Sequence, residues 1–221
     1  MKNLFLIAVL LSSGMAAAKE KAVPADEEPS HQVVLKNEYV EAMRLTILPG
    51  KNTQWHTHSY NRVVVVLSES SVNEDVPGKS LVQALNTSAG DVYTAANADL
   101  PYTHRINNEG KTEFEALDIE LLKRPDGPAA EPNGIPAAEN PSFTVYRYTL
   151  SPGASTPQHT HSRPYLIIAA TPMQLLMKAP DGSSKEEAVK QGDIHWIADK
   201  VTHSLINNGA YPGIIIEVEL K

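Results

Sequence analysis

The sequence contains an internal repeat, and this repeat constrains the fold more than any other feature of the chain. Residues 43–68 align with residues 146–171 at an offset of 103 without a gap, and both copies contain "HTHS" at the same register. Three further matches follow at offsets between 102 and 99: 90–91 with 192–193, His104 with His203, and 116–121 with 215–220. A shared origin of the two halves explains this agreement, and it predicts two related domains.

Each half has the pattern of a series of short β-strands. Segments such as "AMRLTIL", "RVVVVL" and "GIIIEVEL" are rich in β-branched residues and are bounded by Gly, Pro, Asn and Ser, which is typical of strands joined by turns. Closely spaced strands of this kind favour a sandwich or a barrel. Five prolines between residues 124 and 141 predict a semi-stiff linker. We therefore predict an all-β chain with barrel domains at 19–123 and 142–221.

The N-terminus predicts export. Lys2 precedes the apolar run "LFLIAVLL", which is too short to span a bilayer, and small residues follow up to Ala18. We interpret residues 1–18 as a cleaved signal peptide, and we expect a periplasmic or secreted protein with no membrane attachment after cleavage. The net charge of −7 gives no basic surface for nucleic acid. The absence of cysteine excludes thiolate nucleophiles and thiolate metal sites.

Six of the eight histidines lie at equivalent positions of the repeat and predict metal sites. In a strand, residues i and i+2 point to the same face, so the two imidazoles of each "HTH" project together. Neutral imidazoles are good ligands for a divalent ion, and a later histidine can complete a set of three. The predicted ligands are His56, His58 and His104 in the first half, and His159, His161 and His203 in the second. His31 and His195 lack a repeat partner, so we expect neither to be a ligand.

These motifs resemble the cupin superfamily, and specifically a two-domain cupin, or bicupin. The first motif of that family, G-x5-H-x-H, appears at Gly50 and again at Gly153, and the second appears as Gly, a later His and a nearby Asn in both halves. The resemblance covers most of the chain after the signal peptide. It implies two tandem jelly-roll β-barrels, each with its metal site inside, and barrels that pair within one chain or as a homodimer.

Two positions depart from the family pattern. Where cupins have a glutamate ligand, this chain has Arg62 in the first half and Tyr165 in the second. Arg62 either receives a carboxylate substrate beside the metal or indicates a barrel that has lost its metal, because a guanidinium facing the ion is unfavourable unless an anion lies between them. Tyr165 either binds a ligand through its hydroxyl or packs in the barrel. We therefore predict a better site in the second half.

The sequence predicts a metal site, but it does not predict a single reaction. We expect a divalent metal cofactor, with Fe, Mn or Zn as candidates, and a small-molecule ligand. One hypothesis is a metalloenzyme acting on a small oxygenated or carboxylate compound, with a dioxygenase slightly favoured by the resemblance and an isomerase also considered. The alternative is a non-catalytic cupin that binds a small molecule or a metal. A third is a structural module with one degenerate barrel. The catalytic residues stay undefined, since fold does not decide function.

Overall fold

The computed structural model describes residues 21–79, 84–128, 130 and 133–221. The predicted signal peptide at 1–18 lies outside these residues. The regular structure in the described part consists of β-strands and one short 3-10 helix at Ala25–Glu27, which confirms the all-β prediction. Within that same part of the chain, no helix has the length and apolar composition needed to cross a bilayer.

The first half forms two facing five-stranded sheets. Its strands are β1 Val23–Pro24, β2 His31–Lys36, β3 Val40–Ile47, β4 His56–His58, β5 Arg62–Val66, β6 Ser70–Asp75, β7 Leu85–Thr87, β8 Val92–Ala95, β9 Tyr102–Asn108 and β10 Phe114–Leu121. The strand order is β1-β4-β9-β6-β7 in one sheet and β2-β3-β10-β5-β8 in the other. All pairings are antiparallel except that of β1 with β4, which is parallel.

The second half repeats this plan. Its strands are β11 Ala138–Glu139, β12 Phe143–Leu150, β13 His159–His161, β14 Tyr165–Ala169, β15 Met173–Lys178, β16 Ser184–Val189, β17 Ile194–Ile197, β18 Val201–Asn207 and β19 Gly213–Leu220. One sheet has the order β11-β12-β19-β14-β17 and the other β13-β18-β15-β16. The sequence repeat is therefore a repeat of strand order, and each half is a jelly-roll barrel.

The two barrels pack against each other through the outer faces of their central strands. Because side chains alternate between the faces of a strand, β10 and β19 each direct three apolar residues outward. These six residues belong to a larger buried cluster between the barrels, which we call the interface cluster. It consists of Val40, Ala42, Val63, Val65, Leu67, Leu117, Ile119 and Leu121 from the first barrel, and Phe143, Val145, Leu166, Ile168, Ala170, Ile216, Val218 and Leu220 from the second. The residues between them on the same strands point into the barrels.

A reciprocal pair of arginine contacts extends this interface. Arg44 of the first barrel donates to the Gly192 carbonyl oxygen at 3.2 Å, and Arg147 of the second donates to the Gly90 carbonyl oxygen at 2.8 Å. The two glycines have φ angles of +79° and +85°, and a Cβ on either one would meet side chains of the other barrel. Both partners of this contact, an arginine and a glycine, therefore occur in each half of the repeat. The two contacts are equivalent, as expected for barrels that are related by an approximate twofold axis.

The predicted linker is attached to both barrels. Its last residues form β11, which pairs with β12 at the edge of the second barrel. Arg163 donates to the carbonyl oxygens of Asp126 and Pro125, and Asn140 donates to the carbonyl oxygens of Arg62 and Ala95 at 3.0 and 3.1 Å. The described part of the linker therefore follows the protein surface.

Replacing Leu166 by alanine tests the energetic weight of the interface. Leu166 is fully buried in the interface cluster, so Leu166→Ala should lower the free energy of unfolding by about 2–5 kcal/mol. Leu100 is 77% exposed, and Leu100→Ala is the matched control, with an expected change within about 0.5 kcal/mol. Chemical denaturation measures both. Equal losses in the two variants would show that the outer faces contribute little.

Candidate metal centres

Three histidines of the first half meet inside the first barrel. Strand β4 pairs with β9 so that His56 lies opposite His104, and His58 lies on the same face as His56. The ring centroids are 4.4 Å apart for His56 and His104, 5.0 Å for His56 and His58, and 5.1 Å for His58 and His104. All three side chains are buried. We call His56, His58 and His104 the first triad.

The first triad is held by contacts on one side of each ring. Nδ1 of His56 contacts the Gln54 carbonyl oxygen at 2.9 Å, and Nδ1 of His58 contacts Oε1 of Glu120 at 2.7 Å. Nδ1 of His104 contacts the carboxylate of Glu74. The three Nε2 atoms are buried and have no hydrogen-bond partner among the described residues. Metal-binding histidines commonly use one nitrogen for the ion and the other for such a contact. The three Nε2 donors are therefore of the kind that binds a divalent ion. Within the described ranges, the ligand atoms of His56 and His58 lie within 4.8 Å of one another together with that of His31, and His104 lies beside them.

Asp118 is the anion that faces Arg62. The two side chains form a buried ion pair, and the same carboxylate lies 3.9 Å from Nε2 of His58. Sequence reasoning offered a substrate carboxylate or a lost metal as the explanation of Arg62. The structure supplies a different partner for the guanidinium from within the chain, because β10 directs Asp118 into the barrel opposite β5. The arginine is therefore neutralised next to the first triad.

The first triad opens onto a cavity of about 450 Å³. The polar end of the cavity contains the triad, Arg62, Asp118, Glu74 and Tyr102. Its walls are largely apolar: Leu45, Val64, Val66, Val72, Leu85, Ile106, Phe114 and Ala116. A pocket with apolar walls and a few convergent polar groups is the usual form of a small-molecule site.

The three histidines of the second half also converge, and they surround a carboxylate. His159 lies opposite His203 across β13 and β18, with His161 on the same face. We call these three the second triad. Their Nε2 atoms lie 3.0, 3.3 and 3.2 Å from oxygens of Glu217, in the order His159, His161 and His203. Ligand atoms of all four residues lie within 4.8 Å of one another. This set fits a four-ligand divalent ion.

Glu217 was not identified as a site residue from the sequence. It lies on β19, in "IIEVEL", at the repeat position of Asp118 in "ALDIEL". The signal was present, because both segments place two acids two residues apart in an otherwise apolar strand. Such acids share one face, and Ile216, Val218 and Leu220 of β19 lie in the interface cluster on the other. The acids therefore point into the barrel, toward the histidines.

The two triads differ in the protonation that their surroundings favour. Burial, together with the neighbouring His104 and His31, lowers the pKa of His56 to about 3, and burial and Arg62 hold the pKa of His58 well below its ordinary value. In the second barrel burial acts the same way, but the carboxylates of Glu217 and Glu219, which lie 3.3 and 3.6 Å from the ring nitrogens, raise the pKa of His161 to about 9. Neutral imidazoles are the metal-binding form. His56 and His58 are therefore already neutral at neutral pH, and an ion can bind them without displacing a proton.

Tyr165 packs directly on the second triad. Its ring stacks on His161 with centroids 3.8 Å apart and an interplanar angle of 15°. The side chain is fully buried, and its hydroxyl has no hydrogen-bond partner within the described ranges. Burial raises the pKa of this hydroxyl, with further contributions from Glu217 and Glu219. Tyr165 therefore fills the space that Arg62 occupies in the first barrel, and it leaves Glu217 free to face the histidines.

The two histidines without repeat partners lie in different surroundings. His195 has a side chain that is 45% exposed, and it lies 3.6 Å from Glu187 on the surface. His31 is instead buried, lines the cavity of the first barrel, and has its ring centroid 4.7 Å from that of His56. The sequence predicts that neither histidine is a ligand. The exposed position of His195 is in keeping with that prediction, whereas His31 lies beside the first triad.

Comparison with known proteins agrees with this architecture. No model of a known protein family matches the sequence. The β-alanine degradation protein BauB of Pseudomonas aeruginosa is 27% identical over 95 residues, which cover 42% of this chain and 99% of BauB. AerE of Microcystis aeruginosa is similar in structure, with a TM-score of 0.58 and 16% identity over 88% of this chain and 98% of AerE.

Two further solved structures relate the architecture to the cupins. A cupin conserved-barrel protein of Leptotrichia buccalis has a TM-score of 0.50 and 12% identity, over 86% of this chain and 88% of its own. This chain has the fold of two tandem cupin barrels. Oxalate decarboxylase of Bacillus subtilis, which has Mn(II) centres, gives a TM-score of 0.53 at 14% identity, over 83% of this chain and 69% of the decarboxylase. At such identities the structural likeness of this chain to its neighbours shows the fold alone.

Removing Arg62 tests its pairing with Asp118. In metal-free protein, Arg62→Met leaves a buried carboxylate unpaired and should lower the free energy of unfolding by about 3–5 kcal/mol. Adding Asp118→Asn should recover most of that loss. The control is Arg105→Met, because Arg105 forms a more exposed pair with Asp75 that contributes about 0–1 kcal/mol. Denaturant titration of the four proteins measures these differences. A stable Arg62→Met protein would contradict the pairing.

Proposed function

We propose that this bicupin is an exported metalloenzyme that acts on a small oxygenated or carboxylate compound at the first triad. The observation that carries the proposal is the set of three buried Nε2 atoms, unpartnered among the described residues, at the end of a cavity of about 450 Å³. A catalytic metal site keeps a coordination position open for substrate, whereas a structural site is closed. The first barrel has the open form, so the proposal places the reaction there and departs from the sequence-based prediction of a better site in the second half.

The residues of the first barrel support this role in three ways. The Nδ1 contacts of the first triad fix the orientation of the rings, so that the Nε2 lone pairs face the cavity. A divalent ion held there would supply a Lewis acid or an oxygen-activating centre. Burial and Glu74 raise the pKa of Tyr102 to about 12, so its hydroxyl stays protonated at neutral pH and can donate to a bound oxygen.

The ligand class follows from the shape and charge of the cavity. Apolar side chains form most of the wall, and the charged groups of Arg62 and Asp118 balance each other at the polar end. A divalent ion bound by neutral imidazoles keeps its full charge, and therefore attracts an anionic or electron-rich oxygen. We infer a small compound with an apolar body and one oxygenated end. Oxygen-dependent cleavage of a phenolic, diketone or sulfur compound is the reaction we favour, and Fe or Mn is the matching cofactor.

A second candidate function is metal binding without catalysis, and the second barrel favours it. There Glu217 joins the second triad and all four ligands are buried, which is the closed arrangement of a structural ion. In the proposed enzyme this second ion stabilises the fold. We further propose that the mature protein lies in the periplasm or outside the cell, and that a homodimer is its simplest assembly beyond the pairing of barrels within the chain.

Metal analysis tests the proposal first. Protein loaded with Fe²⁺, Mn²⁺ or Zn²⁺ should retain about two ions per chain after desalting, since each triad supplies three nitrogens. His56→Ala and His159→Ala should each lower the content to about one ion, measured by elemental analysis. His195→Ala is the control and should leave the content unchanged. Failure of the wild-type protein to retain stoichiometric metal under every loading condition would refute both sites.

Oxygen consumption separates the enzyme from the binding protein. Iron-loaded protein should consume oxygen in the presence of a compound from a panel of phenols, diketones and thiols, and His56→Ala should reduce the rate to background. His159→Ala should keep most of the rate if the second ion is structural. An oxygen electrode and mass spectrometry of the products give the measurement. A silent panel with each metal, despite stoichiometric loading, would favour non-catalytic binding.

A further inference from the structure

His31 lies against the first triad although it belongs to a different strand. Strand β2 places it opposite Leu45 of β3, at the edge of the second sheet of the first barrel. Its ring centroid is 4.7 Å from that of His56 and 6.0 Å from that of His58. Ligand atoms of these three histidines all lie within 4.8 Å of one another. His31 is only 6% exposed and lines the same cavity as the triad.

Glu28 fixes the orientation of the His31 ring. Its Oε2 lies 2.8 Å from Nδ1 of His31 and also accepts the backbone N–H of Ser30 at 2.8 Å, while Oε1 accepts the N–H of Gln54 at 3.0 Å. The carboxylate is 2% exposed, and a charge is buried only where it is paired. The contact at Nδ1 leaves Nε2 of His31 for the cavity. This is the arrangement in which a carboxylate orients a metal-binding histidine.

The segment that carries Glu28 and His31 is attached to the histidine strand itself. Val23 lies opposite His56 in the parallel pairing of β1 with β4, and its N–H donates to the Trp55 carbonyl oxygen at 3.0 Å. Glu28 contacts Gln54, whose carbonyl oxygen in turn contacts Nδ1 of His56. The chain from Val23 to His31 therefore follows one side of the first triad and positions an additional imidazole beside it.

In the second barrel, the group that lies beside the three histidines is a carboxylate and not a further imidazole. At the offset of 103, the residue that corresponds to His31 is Gly134, so no imidazole is available there. The second triad instead has Glu217, whereas the corresponding Asp118 of the first barrel is engaged by Arg62. Glu217 lies within ligand range of all three histidines of the second triad, whereas His31 lies within ligand range of His56 and His58. These two further groups differ in charge.

We propose that His31 is a further nitrogen ligand of the metal centre in the first barrel and that Glu28 is its positioning residue. An Fe or Mn ion accepts up to six ligands, so this centre still keeps positions open to the cavity when His31 is bound. The inference rests on the proposed binding of metal by the first triad. A centre with only imidazole ligands keeps the full charge of the ion, whereas Glu217 lowers the charge of the second centre by one. The first barrel is therefore the one suited to an anionic substrate, and the second to a permanently held ion.

Copper binding to a protein with a single active triad tests the inference. His159→Ala removes the second centre, and this variant is loaded with Cu²⁺ in the full chain. Electron paramagnetic resonance with nitrogen hyperfine analysis counts the coordinated imidazoles, and competition with a chelator gives the affinity. Adding His31→Gln should remove one imidazole from the count and weaken Cu²⁺ binding at least as much as the loss of an orienting residue does, which is about 10- to 100-fold. Glutamine keeps a polar side chain at the buried position.

Two matched variants in the same background separate a ligand from a packing role. Glu28→Gln should weaken binding by about 10- to 100-fold and leave the imidazole count unchanged. His195→Ala removes an exposed histidine and should change neither quantity. Circular dichroism shows whether each variant is folded, and His31→Ala repeats the test if His31→Gln is not.

The outcomes distinguish this inference from the proposed function. If the His159→Ala protein with His31 intact takes up no Cu²⁺, the metal centre of the first barrel is refuted, and the inference with it. If it takes up Cu²⁺, and loss of His31 alters neither the imidazole count nor the affinity, His31 is not a ligand and only the inference is overturned.

Discussion

The packing of the two barrels through the outer faces of β5, β10, β14 and β19 is the constraint on which the rest of the structure depends. In a strand, a residue that faces outward is followed by one that faces inward. Once the apolar residues of β10 and β19 are committed to the interface cluster, the acids between them must enter the barrels. Buried carboxylates need partners, and the histidines and Arg62 supply them. The interface and the candidate metal sites therefore lie on opposite faces of the same strands.

The two halves keep this scaffold, and the pair of positions that most affects the sites is Arg62 in the first barrel and Tyr165 in the second. Arg62 engages Asp118 in the first barrel, whereas Tyr165 stacks on His161 in the second and leaves Glu217 among the imidazoles. A single change from a cation to an aromatic ring thus changes which groups can reach an ion. It also changes the charge around the histidines. Burial lowers the pKa of both His58 and His161, but Arg62 lowers that of His58 further, whereas Glu217 and Glu219 raise that of His161.

Much of the fold was predictable because the signals are local and occur twice. The spacing of His56 and His58, the turn glycines and the β-branched segments each depend on residues close in the chain, and the repeat confirms their register. The acids of β10 and β19 were missed for a physical reason. Alternation of acidic and apolar residues ordinarily indicates a strand with a solvated face, and the pattern does not state which face a second barrel covers.

The sequence by itself determined that the chain forms two jelly-roll barrels. It also determined that six histidines form two groups of three, one in each barrel. Only the tertiary structure decided which further groups join them. Glu217 and Asp118 come from the last strand of each barrel. His31 comes from β2, which pairs with β3, just after the short strand β1 that pairs with β4. Contacts between residues far apart in the chain depend on how the sheets close, which spacing along a strand cannot specify.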